Sequence, residues 1–234
     1  DRTYARHYFD LLHHPLERDG VDFWWVDWQH GTGSDIPGLD PLAWLNHLHW
    51  TDAERRPERP LLLSRWPGLG GHRYPFAFSG DVVAGWPALA FEVRFTADTA
   101  GAGPVQWSHD IGGHFFGDDP ELYARWLQFG ALSPALRLHG SRDDRSERLP
   151  WKFGEQAETC AREAFALRYR LIPYLYAAMR EGIDRGLPLC RPMWLDHPDE
   201  RSALLAHEQY LLGDRLLAAP IVRPAGPHGL AAGR

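Results

Sequence analysis

The feature that most constrains this chain is an alternation. Short apolar runs of strand length, "GVDFWWVDW", "RPLLLSRW", "YPFAFSGDV", "GPVQWSHDIGGH" and "SPALRLHG", are separated by helical stretches. "DPLAWLNHLHW" and "DDPELYARWLQFGAL" both begin with Asp-Pro. Asp at the N-cap and Pro at the first helical position are strong start signals, so Asp40–Pro41 and Asp119–Pro120 open helices. "GWPALAFEVRFTADTAG" reads as a helix stopped by glycine, and a long helix runs from about Glu155 to Arg185, bent at Pro173 and ended by Gly186. Residues 3 to 17 also carry helical spacing, with Pro15 expected to end or bend that helix. Strands alternating with helices predict parallel βαβ units. A closed (β/α)8 barrel and an open doubly wound sheet both satisfy that pattern.

Each of the five expected strands, within residues 21 to 139, ends in polar or aromatic residues: Asp27, Ser64 and Arg65, Asp81, Asp110, Arg137 and His139. In a (β/α)8 barrel the carboxyl ends of several strands together form the active face. A doubly wound dinucleotide site needs a G-x-G-x-x-G after the first strand, and none is present. "GLGGHR" is only a glycine-rich loop.

Three aspartates, Asp27, Asp81 and Asp110, thus end three different strands. In "DFWWVDWQHG", Asp27 stands among tryptophans, where an ionised carboxylate is poorly solvated. Pairing with an arginine or capping a helix are the structural alternatives to a functional role. Two carboxylates across a pocket, with pKa values held apart by their surroundings, are the equipment for cleaving a glycosidic bond. Arg65, between Asp27 and Asp81 in sequence, favours the charged form of whichever carboxylate it touches more closely. The chain holds 11 Trp, 8 Tyr and 11 Phe. Trp24, Trp25, Trp28 and Trp107 lie near these carboxylates in sequence and suit the flat apolar face of a pyranose. Trp44 and Trp126 fall on helices and are expected in the core, and "DDRSER" at 143 to 148 reads as a solvated loop.

The order of "DFWWVDWQHG", "LLLSRW", "FSGDV", "WSHDIGGHFFG", "WLQFGALSPALRLHG" and "LRYRLIPYLYAAMREGIDRGLPLCRPMW" resembles glycoside hydrolase family 31 along nearly the whole chain. The resemblance implies a (β/α)8 catalytic barrel, represented here from about strand four to strand eight, over residues 1 to 200. Residues 201 to 234 then begin a C-terminal β-domain. It implies a retaining α-glycoside hydrolase of the α-glucosidase or α-xylosidase kind, with Asp27 as nucleophile and Asp81 as acid/base. Arg65 is similar to the family's strand-five arginine beside the reaction centre, Asp110 to the aspartate of its "HDIGG" pocket wall, and His139 to its sugar-binding histidine. Trp25, Trp28 and Phe78 complete the implied substrate contacts, and no metal or cofactor is required. Trp28, Gln29 and His30 stand where many members have Met-Asn-Glu, Val82 where many have Asn, and Phe78 where a Trp is frequent. These departures bear on which sugar the first subsite takes.

The expected partner is an oligosaccharide or other α-glycoside. A net charge of −6 without a basic block argues against nucleic acid, and no apolar run reaches the length of a membrane span. Two cysteines, Cys160 and Cys190, imply no disulfide framework. His13, His14, His47, His49 and His109 lack ligand spacing for zinc and are expected to pack or face solvent. The chain starts in mid-pattern and stops just after a new strand-like run, as a piece of a longer protein does. A part-barrel would expose an unpaired edge, so a non-catalytic carbohydrate-binding fragment is the competing expectation.

Overall fold

The computed structural model describes residues 1–27, 31, 33–65, 70–74, 76–99, 103 and 105–226. The chain forms two compact units, Asp1–Phe78 and Ser79–Arg234.

The first unit is built on three parallel strands, β1 (Trp24–Val26), β2 (Leu62–Arg65) and β3 (Phe76–Phe78). Trp24 pairs with Leu62 and Val26 with Ser64; Leu63 pairs with Phe76 and Arg65 with Phe78. β2 is buried at all four residues, as a strand covered on both faces must be. Between β1 and β2 runs α3 (Pro41–Ala53), opened as expected by Asp40, whose side chain accepts from the Leu42 N–H at 2.8 Å. Its apolar side closes over Val26 and Leu62 through Leu42 and Leu45. α3 buries Leu42, Asn46 and His49, so Trp44 lies on the opposite face and is 47% exposed. The expectation that Trp44 packs in the core is therefore corrected.

The N-terminal helix is present and does not end at Pro15: it passes from α1 (Arg2–Tyr8) through a π-helical turn (Phe9–His13) into α2 (His14–Arg18). Proline sits in the first turn of α2, where its missing N–H costs little. His13 and His49 are buried among Phe9, Tyr8 and Trp24, so they act as packing residues. Burial lowers the His49 pKa to about 4.

The second unit carries α4 (Trp86–Asp98), β4 (Gln106–Ser108), α5 (Pro120–Ala131) and α6 (Glu155–Arg185). Asp119 caps α5 through the Glu121 and Leu122 N–H groups. Trp126, Leu127 and Phe129 of α5 are fully buried against α4 and α6. α6 continues through Pro173 and ends at Gly186 in a left-handed turn, φ 69°. A small antiparallel sheet follows, β5 (Cys190–Pro192), β6 (Tyr210–Leu212) and β7 (Leu216–Ala218). Tyr210 and Leu212 anchor it in the core below α6.

The fifth expected strand is not a strand. Residues 133 to 140 make only isolated parallel bridges, Ser108 to Ala135 and Ile111 to Leu138. Pro134 has no N–H to give, and the carbonyls of Ser133 and Pro134 are taken by the Arg168 guanidinium. The loop at 143 to 148 also differs from expectation. Arg148 is 4% exposed and donates to the carbonyl of Gly113 at 2.7 Å and to that of Phe116. Its sequence reads as solvated because five of its six residues are charged; the fold turns the last one inward. Among the described residues no helix is long and apolar enough to cross a membrane.

Candidate active site

In the first unit the polar group at each strand end is set by register. Asp27 follows the last residue of β1 and Arg65 is the last residue of β2. The pairing of Val26 with Ser64 brings the two ends level, and Arg65 Nε lies 3.0 Å from Asp27 Oδ1. Arg65 is nearly enclosed, 6% exposed at the side chain, whereas Asp27 retains 25%. The guanidinium lies over the Phe78 ring, 4.8 Å from its centroid, a cation–π contact in a desolvated setting. Trp25 meets the same ring edge-on at 5.7 Å. Asp27, Arg65, Trp25 and Phe78 are thus brought together, and Arg65 touches Asp27 as one of the alternatives for that carboxylate required. Trp28 lies outside the described residues.

In the second unit a second constellation forms around Asp110. The "HDIGGH" run makes this possible through its glycines. Gly113 has φ +85°, and a Cβ there would lie 2.7 Å from Ala84 Cα. Only glycine lets the 110–117 loop press against the 80–84 loop. The two loops are then joined by backbone bonds from His114 and Phe115 N–H to Val82 O, at 2.9 and 3.0 Å, and from Ala84 N–H to Phe115 O at 2.9 Å. Asp81 sits at the start of this seam, on the surface.

Asp110 is fully buried. Its Oδ1 pairs with Arg137 Nη2 at 2.5 Å and its Oδ2 accepts from His114 Nδ1 at 2.7 Å. Burial pushes this carboxyl above the ordinary carboxylate range, while Arg137, His139 and His114 pull the other way. Arg137 also donates to Ser108 Oγ at 3.0 Å. His139 is half-buried, and burial lowers its pKa below the ordinary histidine value, with Asp110 pulling the other way. A neutral imidazole can both donate and accept toward sugar hydroxyls.

Behind this wall is a buried polar relay. The Thr96 hydroxyl donates to Glu92 O, which leaves His109 Nε2 to donate to Thr96 Oγ1 at 2.7 Å. His109 Nδ1 then accepts from the Ser79 hydroxyl at 2.7 Å, two residues before Asp81. Burial holds the His109 pKa at about 3, so the ring is neutral. The Glu92 carboxyl is likewise fully buried, its pKa raised well above normal by desolvation, and it accepts from Trp126 Nε1 at 2.8 Å. Trp107, expected in the pocket, is 8% exposed and packs edge-on against Phe95 of α4 at 4.6 Å. Within β4 it alternates with Gln106 and Ser108, so it faces the opposite side of the strand from them.

Sequence reasoning missed His114, Glu92 and Arg148. The signal for His114 was present: it closes "HDIGGH", four residues after Asp110. Among the described residues two groups offer metal-ligand atoms within 4.8 Å of one another, Asp110 with His114 and His139, and His14 with Glu17 and Asp52. In each a guanidinium already pairs with the carboxylates, Arg137 in the first and Arg55 in the second.

Residues 2–178 match the glycosyl hydrolases family 31 TIM-barrel domain, and residues 186–230 match the glycosyl hydrolase family 31 C-terminal domain. The chain belongs to glycosyl hydrolase family 31. Its fold is accordingly a partial (β/α)8 barrel with the start of a C-terminal β-domain. Among family 31 proteins it is 37% identical to an α-xylosidase of Emericella nidulans over 166 residues, 71% of this chain and 21% of that protein. It is 32% identical to human neutral α-glucosidase AB over 207 residues, 87% of this chain and 21% of that protein. The structure of a Flavobacterium johnsoniae dextranase of the same family, complexed with glucose, superimposes with a TM-score of 0.83 at 30% identity, covering 97% of this chain and 31% of the dextranase. The chain thus spans between a fifth and a third of the length of these relatives.

Proposed function

We propose that this chain carries the catalytic carboxylates of a retaining α-glycoside hydrolase that acts on terminal α-linked sugars. The observation that carries the reading is Asp27, held by the Arg65 guanidinium at the end of β1 in a chain of this family. The α-linkage is supported by relatives named α-xylosidase and neutral α-glucosidase.

In this reading the Asp27 carboxylate attacks the anomeric carbon while Asp81 gives its proton to the departing glycosidic oxygen. The bond from carbon to the leaving oxygen breaks as the glycosyl ester to Asp27 forms. Water then attacks the same carbon, Asp81 takes its proton, and Asp27 leaves as carboxylate. Two inversions give net retention. Arg65 holds Asp27 aimed through its Nε contact. Asp110 and His139 hold sugar hydroxyls, and Trp25, Trp28 and Phe78 are assigned the aromatic wall. The chemistry uses no metal or cofactor.

The test is hydrolysis by the full-length protein of a panel of aryl α-glucosides and α-xylosides, with the first-formed anomer read by NMR. Release of the α-anomer is expected. A β-anomer as first product, or no turnover of any α-glycoside, refutes the reading.

A further inference from the structure

We propose that His109 is a positioning residue: by holding the Ser79 hydroxyl it fixes the upstream end of the turn that presents the acid/base carboxyl of Asp81. This rests on the functional reading above and deepens it.

The turn is pinned on both sides. Downstream of Asp81, Val82 O accepts from the His114 and Phe115 N–H groups, and the Ala84 N–H donates to Phe115 O. Upstream, the Ser79 N–H donates to Ser108 O at 3.2 Å. The Ser79 side chain adds a second upstream anchor, its hydroxyl donating to His109 Nδ1 at 2.7 Å. Between Ser79 and Asp81 stands Gly80, at φ +103°. Glycine enters that region without a steric penalty and leaves it as easily, so the conformation at residue 80 has to be held by its neighbours.

The directions of these bonds follow from the hydroxyls. Thr96 Oγ1 gives its single proton to Glu92 O, so it accepts from His109 Nε2 in their 2.7 Å contact. A neutral imidazole protonated at Nε2 is bare at Nδ1, and Nδ1 takes the Ser79 proton. The ring is fully buried and packs against Phe95 and Phe129, with centroids 6.4 and 5.6 Å away. Its far anchor is rooted as well. Thr96 lies one helical turn from Glu92 on α4, and the Glu92 carboxyl accepts from Trp126 Nε1 of α5. The packed core of the second unit thus reaches, through one imidazole, to within two residues of Asp81. His109 acts here through the backbone and leaves the contacts of the Asp81 carboxyl itself in place.

A general acid contributes about 10²- to 10⁴-fold, and a misplacement of about 1 Å in a reacting group costs up to about 10²-fold. Loosening the turn therefore falls on the steps in which Asp81 moves a proton. The test compares kcat/KM of the full-length enzyme on an alkyl α-glycoside, which needs protonation to leave, and on an activated aryl α-glycoside, which does not. Ser79→Ala and His109→Leu are each expected to lose roughly tenfold on the alkyl glycoside and less than about threefold on the aryl one. His109→Asn keeps an acceptor near the place of Nδ1 and is expected to recover most of the alkyl rate. The double variant is expected to lose no more than either single one, since both break the same link. Equal losses on the two substrates, a wild-type alkyl rate in Ser79→Ala, an Asn variant as impaired as the Leu variant, or additive losses in the double variant overturns the inference. If His109→Leu does not fold, the two rates of Ser79→Ala decide alone. A wild-type enzyme with no α-glycosidase activity removes the functional reading first, whereas an active enzyme whose leaving-group dependence ignores Ser79 removes this inference alone.

Discussion

Removing Arg137 should expose how much the Asp110 wall depends on charge compensation. Arg137→Met deletes the guanidinium from a carboxyl with no solvent exposure. Breaking a buried ion pair by deleting one partner costs about 3–5 kcal/mol. Asp110 keeps its bond from His114, and the Arg137 side chain is 20% exposed, so the lower end applies, about 3 kcal/mol. The pH dependence has a definite sign. Burial already raises the Asp110 pKa in the folded state, and Arg137 counters it. Without Arg137 the folded carboxyl binds its proton more tightly than the unfolded one. Stability relative to wild type is then retained below the ordinary carboxylate pKa and lost as pH rises through the elevated folded value. The deficit should be largest near about pH 8 and shrink toward about pH 4. Asp110→Asn in the same background removes the stranded charge, and the deficit should fall to about 1 kcal/mol. Urea unfolding of the full-length protein, followed by tryptophan fluorescence, compares wild type with both variants. A deficit below about 0.5 kcal/mol, or no recovery in the double variant, refutes the assignment of this pair as the support of the wall.

Other outcomes follow from the same geometry. Asp81→Ala should damage glycosides with poor leaving groups far more than activated aryl glycosides, because only the former need a proton; equal losses on both would assign Asp81 a structural role. Gly113→Ala places a Cβ 2.7 Å from Ala84 Cα at φ +85° and should cost at least about 2 kcal/mol in unfolding free energy, with activity lost alongside. A stable, active Gly113→Ala enzyme would show that the seam between the two loops can yield.

Much of the fold was legible because local chemistry decides it. The Asp-Pro starts at residues 40 and 119 are caps whose partners lie within a turn, and both were found as read. The parallel order of β1, β2 and β3 follows from strands interleaved with helices. Trp44 was misjudged because aromatic character alone does not say which face of α3 is turned inward. The segment at 133 to 140 was misread because its ladder depends on the side chain of Arg168, more than thirty residues away. The pairing of Asp27 with Arg65 was among the alternatives open from sequence, since consecutive parallel strands end side by side. Arg148 was not seen, since its role arises only when it folds back on the Gly113 and Phe116 carbonyls, more than thirty residues away.

Whether Asp27 forms the covalent intermediate can be measured directly. A fluorinated α-glycosyl fluoride slows breakdown of a glycosyl-enzyme enough to trap it. The full-length enzyme should be treated with one, digested, and mapped by tandem mass spectrometry. A single added glycosyl unit on the carboxyl of Asp27 is expected, lost when excess acceptor reactivates the enzyme. A label on another carboxylate, or first-order inactivation that leaves the Asp27 peptide unmodified, contradicts it.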